Sequence, residues 1–73
     1  MRLDLFDTYG REYYEAAVYE VDKACLLLDF YTTKAEAVKA VKDFKKSYKG
    51  NNELDCFVRL HDEYGFAIED YNL

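Results

Sequence analysis

The sequence predicts a small α+β domain, in which one helix packs on one face of an antiparallel sheet of four to five strands in the order β-β-β-α-β-β. Three observations support this fold class: one stretch has helical spacing, the stretches on both sides of it alternate like strands, and 73 residues allow one domain. The chain has no proline and only three glycines, so no segment is typical of a linker. We therefore treat residues 1–73 as a single domain.

The predicted helix begins after Thr33 and covers residues 34–49. Thr33 and Glu36 have the spacing of a capping box, in which each side chain accepts a hydrogen bond from the backbone N–H of the other residue. Gly50 follows the last periodic residue and is expected in a left-handed conformation at the helix end. One apolar stripe would face the sheet, and its members are Ala37, Ala40, Val41, Phe44 and Tyr48.

Two alternating stretches and a shorter one precede the helix. "ACLLLDFY", residues 24–31, predicts a central strand whose residues Leu27, Asp29 and Tyr31 face away from the helix. "EAAVYEV" reads as its hairpin partner, joined through Asp22-Lys23, although residues 12–21 also fit helical spacing. Arg2–Phe6 is expected to form a further strand.

Two more strands are expected after the helix. "LDCFVRL" alternates, which directs Asp55, Phe57, Arg59 and then His61 away from the helix. "HDEYG" reads as a turn that ends in glycine, and "FAIEDY" as the closing strand.

One helix covers only one face of such a sheet, so the opposite face should be the candidate contact surface. Aromatic residues rimmed by acids are typical of surfaces that bind another protein or a second copy of the chain. The predicted partner-binding residues are Leu27, Asp29, Tyr31, Asp55, Phe57, Arg59, His61 and Tyr71.

Charge is separated along the chain, whose net formal charge is −5. Residues 34–50 carry six lysines and two acids, a formal +4, whereas the rest carries four basic and thirteen acidic residues, a formal −9. Lysines on one helix sector are explained by helix propensity and by the helix dipole. The alternative is a ridge that follows nucleic-acid phosphates, with Lys39, Lys42, Lys46 and Lys49 as its contacts. Nucleic acid remains the less favoured partner because the sequence pI is near 4.7.

Catalysis, cofactor binding and metal binding are not expected. His61 is the only histidine, and an odd separation places it opposite Cys56 on an undisturbed strand. Glycine-rich phosphate loops and paired metal-ligand spacings are absent from the sequence. Cys25 and Cys56 lie in apolar runs and are expected to be buried thiols of a reducing cytoplasm. Residues 1–10 lack the apolar segment typical of a secretory signal and no apolar run is long enough to span a membrane, so we expect neither a secreted nor a membrane-spanning protein.

These observations favour a small cytoplasmic protein without catalytic activity that acts through protein–protein contacts. One concrete form is an acidic inhibitor, phage-like or mobile-element-like in type, whose carboxylates imitate a nucleic-acid backbone. A homodimer formed by the same surface is the other reading of its aromatic residues.

Overall fold

The computed structural model describes all 73 residues and confirms the predicted fold class. Five antiparallel strands form one sheet in the spatial order β1-β3-β2-β4-β5, and the helix follows β3. The elements are β1 (Arg2–Leu3), a 3₁₀ helix (Leu5–Thr8), β2 (Tyr13–Glu20), β3 (Cys25–Tyr31), α1 (Lys34–Ser47), β4 (Leu54–His61) and β5 (Ala67–Asn72).

The hydrophobic core lies between α1 and the three central strands. Val18 of β2, Val41 of α1 and Val58 of β4 are its largest fully buried side chains. Ala16 and Ala37 are also fully buried, and their small side chains let the helix approach the sheet closely. Burial of each valine contributes about 1.5 kcal/mol or more to stability.

The N-terminus of α1 has the predicted Thr33 cap, but the Glu36 carboxylate accepts from the Thr33 hydroxyl and not from the Thr33 backbone N–H. The Glu36 N–H donates to Thr33 Oγ1 at 3.3 Å, and the Thr33 hydroxyl donates back to the Glu36 carboxylate at 2.8 Å. The amino group of Met1 also bonds to this carboxylate. These bonds, that of the amino group above all, lower the pKa of Glu36, whose charge lies at the positive end of the helix dipole.

The C-terminal end of α1 differs from the prediction. The helix ends at Ser47, so Lys49 lies beyond it, and Tyr48 is extended with φ −70° and ψ 124°. Gly50 does not adopt the left-handed conformation that we expected there. The Tyr48 ring instead folds over Gly50, and a Cβ at this position would force the ring to shift. The Tyr48 hydroxyl then donates to Glu20 at 3.3 Å, which fixes the ring against β2.

The first strand is shorter than predicted, since only Arg2–Leu3 pairs with β3. Because β1 lies on the outer side of β3 and β2 on its inner side, the connection between them must cross β3. The 3₁₀ helix Leu5–Thr8 belongs to this crossing, and the Thr8 hydroxyl closes it by donating to the Leu5 carbonyl at 2.6 Å. Leu3 is only 4% exposed although its strand is at the sheet edge.

The β2–β3 hairpin is confirmed, and residues 13–20 are strand rather than helix. The connection is longer than two residues, because residues 21–24 separate the strands, and Asp22 adopts φ 61°. Aspartate tolerates this left-handed conformation better than most residues.

The faces of β3 are the reverse of the prediction. Leu27 pairs with Val18 and Asp29 with Ala16, and both partners are buried beneath α1. Leu27, Asp29 and Tyr31 therefore lie on the helix side of the sheet. Three consecutive leucines give no periodicity to decide the faces, and a β-bulge lets Leu26 and Leu27 both pack against the core.

Candidate functional site

The sheet face opposite α1, here called the far face, is formed mainly by alternate residues of β2 and β4. Antiparallel register pairs these residues directly, so they share one surface. The pairs are Tyr13 with His61, Glu15 with Arg59, Ala17 with Phe57 and Tyr19 with Asp55. Four of the eight predicted partner-binding residues thus come together here, namely Asp55, Phe57, Arg59 and His61.

The other four predicted residues lie on the helix side, where β5 adds Tyr71 to Leu27, Asp29 and Tyr31. The Tyr71 ring lies 3.7 Å from the Lys34 ammonium, and its hydroxyl bonds to Glu69, which raises the pKa of Tyr71 to about 12.

The two polar residues of β3 also have neighbours within the protein. Asp29 accepts a bond from Arg2 at 2.9 Å. Burial, followed by the charge of Asp29, raises the pKa of Tyr31. These side chains have intramolecular partners on the covered side of the sheet.

A histidine cluster occupies one end of the far face. His61 Nε2 lies 2.7 Å from the Glu15 carboxylate, with both side chains only 11–12% exposed, and Nδ1 lies 3.2 Å from the Gly65 carbonyl. The Tyr13 ring stacks on His61 with centroids 4.6 Å apart, and Phe30 meets Tyr13 edge-on at 5.5 Å. Burial, then the charges of Glu15 and Asp62, raise the pKa of Tyr13. Both imidazole nitrogens therefore face acceptors within the protein.

A second aromatic pair fills the centre of the far face. Tyr19 stacks on Phe57 at 5.9 Å, and the Arg59 guanidinium lies 4.6 Å from the Phe57 ring. Arg59 donates to Asp70 at 2.7 Å, and this bond is the main cause of its raised pKa. Phe57 is consequently only 8% exposed. The rings that we expected to be open on this face are largely covered by one another.

The exposed aromatic surface lies elsewhere, at the end of the sheet where the 3₁₀ segment meets the β4–β5 turn. Phe6 and Tyr9 are 82% and 73% exposed, and Tyr64 and Phe66 are 78% and 70% exposed. Exposure of so many large rings is typical of a surface that contacts another molecule. We name this surface the aromatic rim, which consists of Leu5, Phe6, Tyr9, Tyr64 and Phe66.

Two hollows show that the rim segments approach each other. One, of about 190 Å³, is lined by Leu5, Tyr9, Tyr13, Glu63 and Tyr64, together with Thr8 and two glycines. The neighbouring hollow, of about 310 Å³, is lined by Arg11, Glu12, Asp62, Glu63 and Tyr64. Glu63 and Tyr64 line both hollows.

The two segments that form the aromatic rim are rich in acidic residues. The two segments that form it, residues 4–12 and 62–66, contain five acids and one base. Asp62 is engaged within its own turn, where it accepts the Tyr64 and Phe66 N–H groups at 2.9 Å. The other four carboxylates form no ion pair and no side-chain hydrogen bond; they are those of Asp4, Asp7, Glu12 and Glu63. The rim thus combines free negative charge with exposed aromatic surface.

The lysine ridge, formed by Lys34, Lys39, Lys42, Lys45, Lys46 and Lys49, lies on the solvent side of α1 and just beyond its end. Lys39 pairs with Asp43, which raises its pKa, and Lys34 covers the Tyr71 ring. Lys42, Lys46 and Lys49 are exposed and form no ion pair. Three of the four lysines predicted for nucleic-acid contact are therefore free.

The two cysteines differ in burial. Cys56 is buried in the core, which raises the pKa of its thiol, whereas Cys25 is exposed, contrary to our expectation. Cys25 begins β3 where the bulge shifts the register, so it lies beside Tyr19 and not under the helix. No group of three or more histidine, cysteine or acidic side chains could hold a metal ion, and no helix has the length and apolarity to cross a membrane.

The chain matches no protein-family model, no curated protein and no solved structure.

Sequence reasoning missed the aromatic rim. Tyr9 and Tyr64 each precede a glycine in an acid-rich turn, "DTYGRE" and "HDEYGF", so neither belongs to an alternating strand. An aromatic residue placed in a polar turn has no core to enter, and that placement could have identified both. Phe6 was assigned to a strand that ends three residues before it.

Proposed function

We propose that this chain is a non-catalytic interaction module that binds another protein through the aromatic rim and the adjoining far face. The observation that carries the proposal is the 70–82% exposure of Phe6, Tyr9, Tyr64 and Phe66. Tyrosine and phenylalanine are enriched in protein interfaces, because a rigid ring buries a large area at little cost in conformational entropy.

The histidine cluster supports a non-catalytic role. A general base needs a nitrogen that reaches substrate, and His61 has both of its nitrogens next to internal acceptors, Glu15 and the Gly65 carbonyl. The ring is also stacked under Tyr13. His61 thereby joins the sheet to the turn that carries Tyr64 and Phe66.

The charge of the surface favours a basic partner. Outside residues 34–50 the formal charge is −9, and the two segments that form the rim, residues 4–12 and 62–66, carry four unpaired carboxylates. An inhibitor that imitates nucleic acid fits this pattern: the rim acids, with Asp55 of the far face, would occupy the basic groove of a nucleic-acid-binding protein in place of phosphates. Free thiols at Cys25 and Cys56 are compatible with action in a reducing cytoplasm.

The test is to capture a partner from the native host and to measure its affinity for matched variants. Tyr9→Ser with Tyr64→Ser should weaken binding by about tenfold or more, because central interface aromatics often contribute at least about 2 kcal/mol. Val21→Ser, at an exposed position in the β2–β3 loop, is the control and should leave the affinity unchanged. A partner bound equally well by the rim variant and the wild type would remove the proposal.

A second copy of the chain is the competing occupant of the rim. Sedimentation should then give twice the monomer mass of 8.6 kDa, and Phe6→Asp or Tyr64→Asp should restore the monomer. A monomer at all concentrations tested would exclude homodimer formation and leave the heterologous partner.

The alternative function is nucleic-acid contact through the lysine ridge, which is favoured by the free ammonium groups of Lys42, Lys46 and Lys49. Such binding should weaken with salt with a slope of about −0.9 per phosphate contact on duplex DNA. Substitution of these lysines by glutamine should flatten that slope. Because the rest of the chain is acidic, we expect no binding of DNA or RNA at about 50 mM salt, and that result would remove this alternative function.

A further inference from the structure

The smaller hollow of the aromatic rim has the composition of a site for a cation. Tyr9 and Tyr64 line it from the two rim segments. Tyr13 adds a third aromatic ring to the lining, and Glu63 adds a carboxylate. A cation placed over an aromatic face is attracted by the negative charge density of the ring, and a carboxylate alongside adds a charge-assisted hydrogen bond.

The size of the hollow fits one side chain. Its volume of about 190 Å³ is below the roughly 300–1,000 Å³ of pockets that enclose drug-sized ligands. Gly65, which lines it, has φ 87°, a conformation that a residue with a Cβ rarely adopts, and no atom lies within 4 Å of where its Cβ would be. The space beside Gly65, at the edge of the hollow, is therefore open.

The local potential favours positive charge. Glu63 forms no ion pair, and it also borders the neighbouring hollow beside Glu12 and Asp62. Burial raises the pKa of Tyr13, and the charges of Glu15 and Asp62 raise it further, as expected for a hydroxyl in a negative field. Arg11, the one base of the two segments that form the rim, lines only the neighbouring hollow.

We propose that the hollow between Tyr9 and Tyr64 receives an arginine or lysine side chain of the partner, with Glu63 as its counter-ion. This inference rests on the proposed function, since it names the chemistry by which the aromatic rim would recognise another protein. Arginine suits the hollow especially well because its planar guanidinium can stack on a ring and bond to a carboxylate at once.

The test is an NMR titration of the protein with N-acetylarginine amide, with the neutral isostere N-acetylcitrulline amide as the matched ligand. Arginine should shift the resonances of Tyr9, Gly10, Tyr64 and Gly65. Citrulline should bind at least about fivefold more weakly than arginine, because it lacks the positive charge that Glu63 attracts. Equal binding of the two ligands, shifts located elsewhere, or no shift at high millimolar arginine would each overturn the inference.

Paired variants separate the site from the surface around it. Tyr64→Leu should weaken arginine binding about two- to fivefold, as expected for the loss of one ring, and Glu63→Gln should weaken it about fivefold. Phe66→Leu, in the same turn but outside the hollow, and Glu53→Gln, at a distant exposed acid, should have no effect. Tyr64 is 78% exposed, so its variant should retain the wild-type amide spectrum.

The two proposals fail in different ways. A partner whose affinity falls with Tyr9→Ser and Tyr64→Ser, but not with Glu63→Gln, would keep the proposed function and remove the cation site. A partner unaffected by all three variants would remove the proposed function itself.

Discussion

On the far face, Tyr13 stacks on His61 and Tyr19 stacks on Phe57, whereas Tyr9 and Tyr64 of the aromatic rim leave most of their surface in solvent. Both regions combine tyrosine with acids, but the rings are covered on the far face and exposed at the rim, and the acids that we compare differ in whether they have a partner. On the far face Glu15 is paired with His61, whereas Glu63 at the rim is unpaired. Residue type alone therefore does not separate a ring used for folding from a ring left for a partner.

The largest expected contrast is in the free energy of unfolding, between alanine substitutions of two phenylalanines, one on the far face and one at the rim. Phe57→Ala should lower the free energy of unfolding by about 3 kcal/mol, because it removes a buried ring together with its stack on Tyr19. Phe6→Ala should change it by no more than about 0.5 kcal/mol, because Phe6 is 82% exposed. Chemical denaturation of both variants measures this difference, and similar losses of unfolding free energy in the two variants would contradict it.

A double-mutant cycle on Glu15 and His61 should give the next largest effect. Each change to alanine leaves a nearly buried polar partner, so we expect losses of about 2 kcal/mol singly and a coupling energy of about 1 kcal/mol. The reference is the exposed pair Lys39 and Asp43, whose coupling should be much weaker because solvent screens both charges. Equal coupling in the two pairs would show that the far-face bond is not protected from water.

The turn of the aromatic rim should be sensitive to backbone geometry. Gly65→Ala should cost about 1–2 kcal/mol, because φ 87° is strained for a residue with a Cβ. Loss of stability together with faster exchange of the Tyr64 and Phe66 amides would show that the turn conformation presents these rings. A neutral effect would mean that the turn relaxes to another geometry at no cost.

The smallest effect concerns alkaline pH. Burial raises the pKa of Tyr13, so its neutral hydroxyl contributes stability that is fully present below the unfolded value, about 10, and is lost as pH rises toward the folded value. Tyr13→Phe should therefore show a smaller loss of stability above pH of about 10 than the wild type. Identical pH profiles for the two proteins would contradict the half-buried position of this ring.

The sequence was sufficient where one pattern dominated. The period of Ala37 and Val41, and the spacing of Thr33 and Glu36, located the helix and its cap, and the alternation of residues 54–61 assigned the faces of β4 correctly. These features are local, since each depends on a repeat read within a few residues.

It was insufficient where tertiary pairing decided the outcome. Leu26, Leu27 and Leu28 satisfy either face of β3, and only the register with β2 and the bulge select one. The covering of Phe57 and the exposure of Tyr64 likewise depend on neighbours that are distant in sequence. The structure therefore has half of the predicted contact residues on the helix side of the sheet, three of them on β3 and one, Tyr71, on β5.

The most direct measurement of the central contrast is photochemically induced nuclear polarisation of the tyrosine rings by a flavin dye, which reports only rings that the dye can touch. In dilute protein, Tyr9 and Tyr64 should give strong signals, and Tyr13 and Tyr19 weak ones. Strong signals from Tyr13 and Tyr19, with Tyr9 and Tyr64 silent, would contradict the assignment of the aromatic rim as the open surface of this protein.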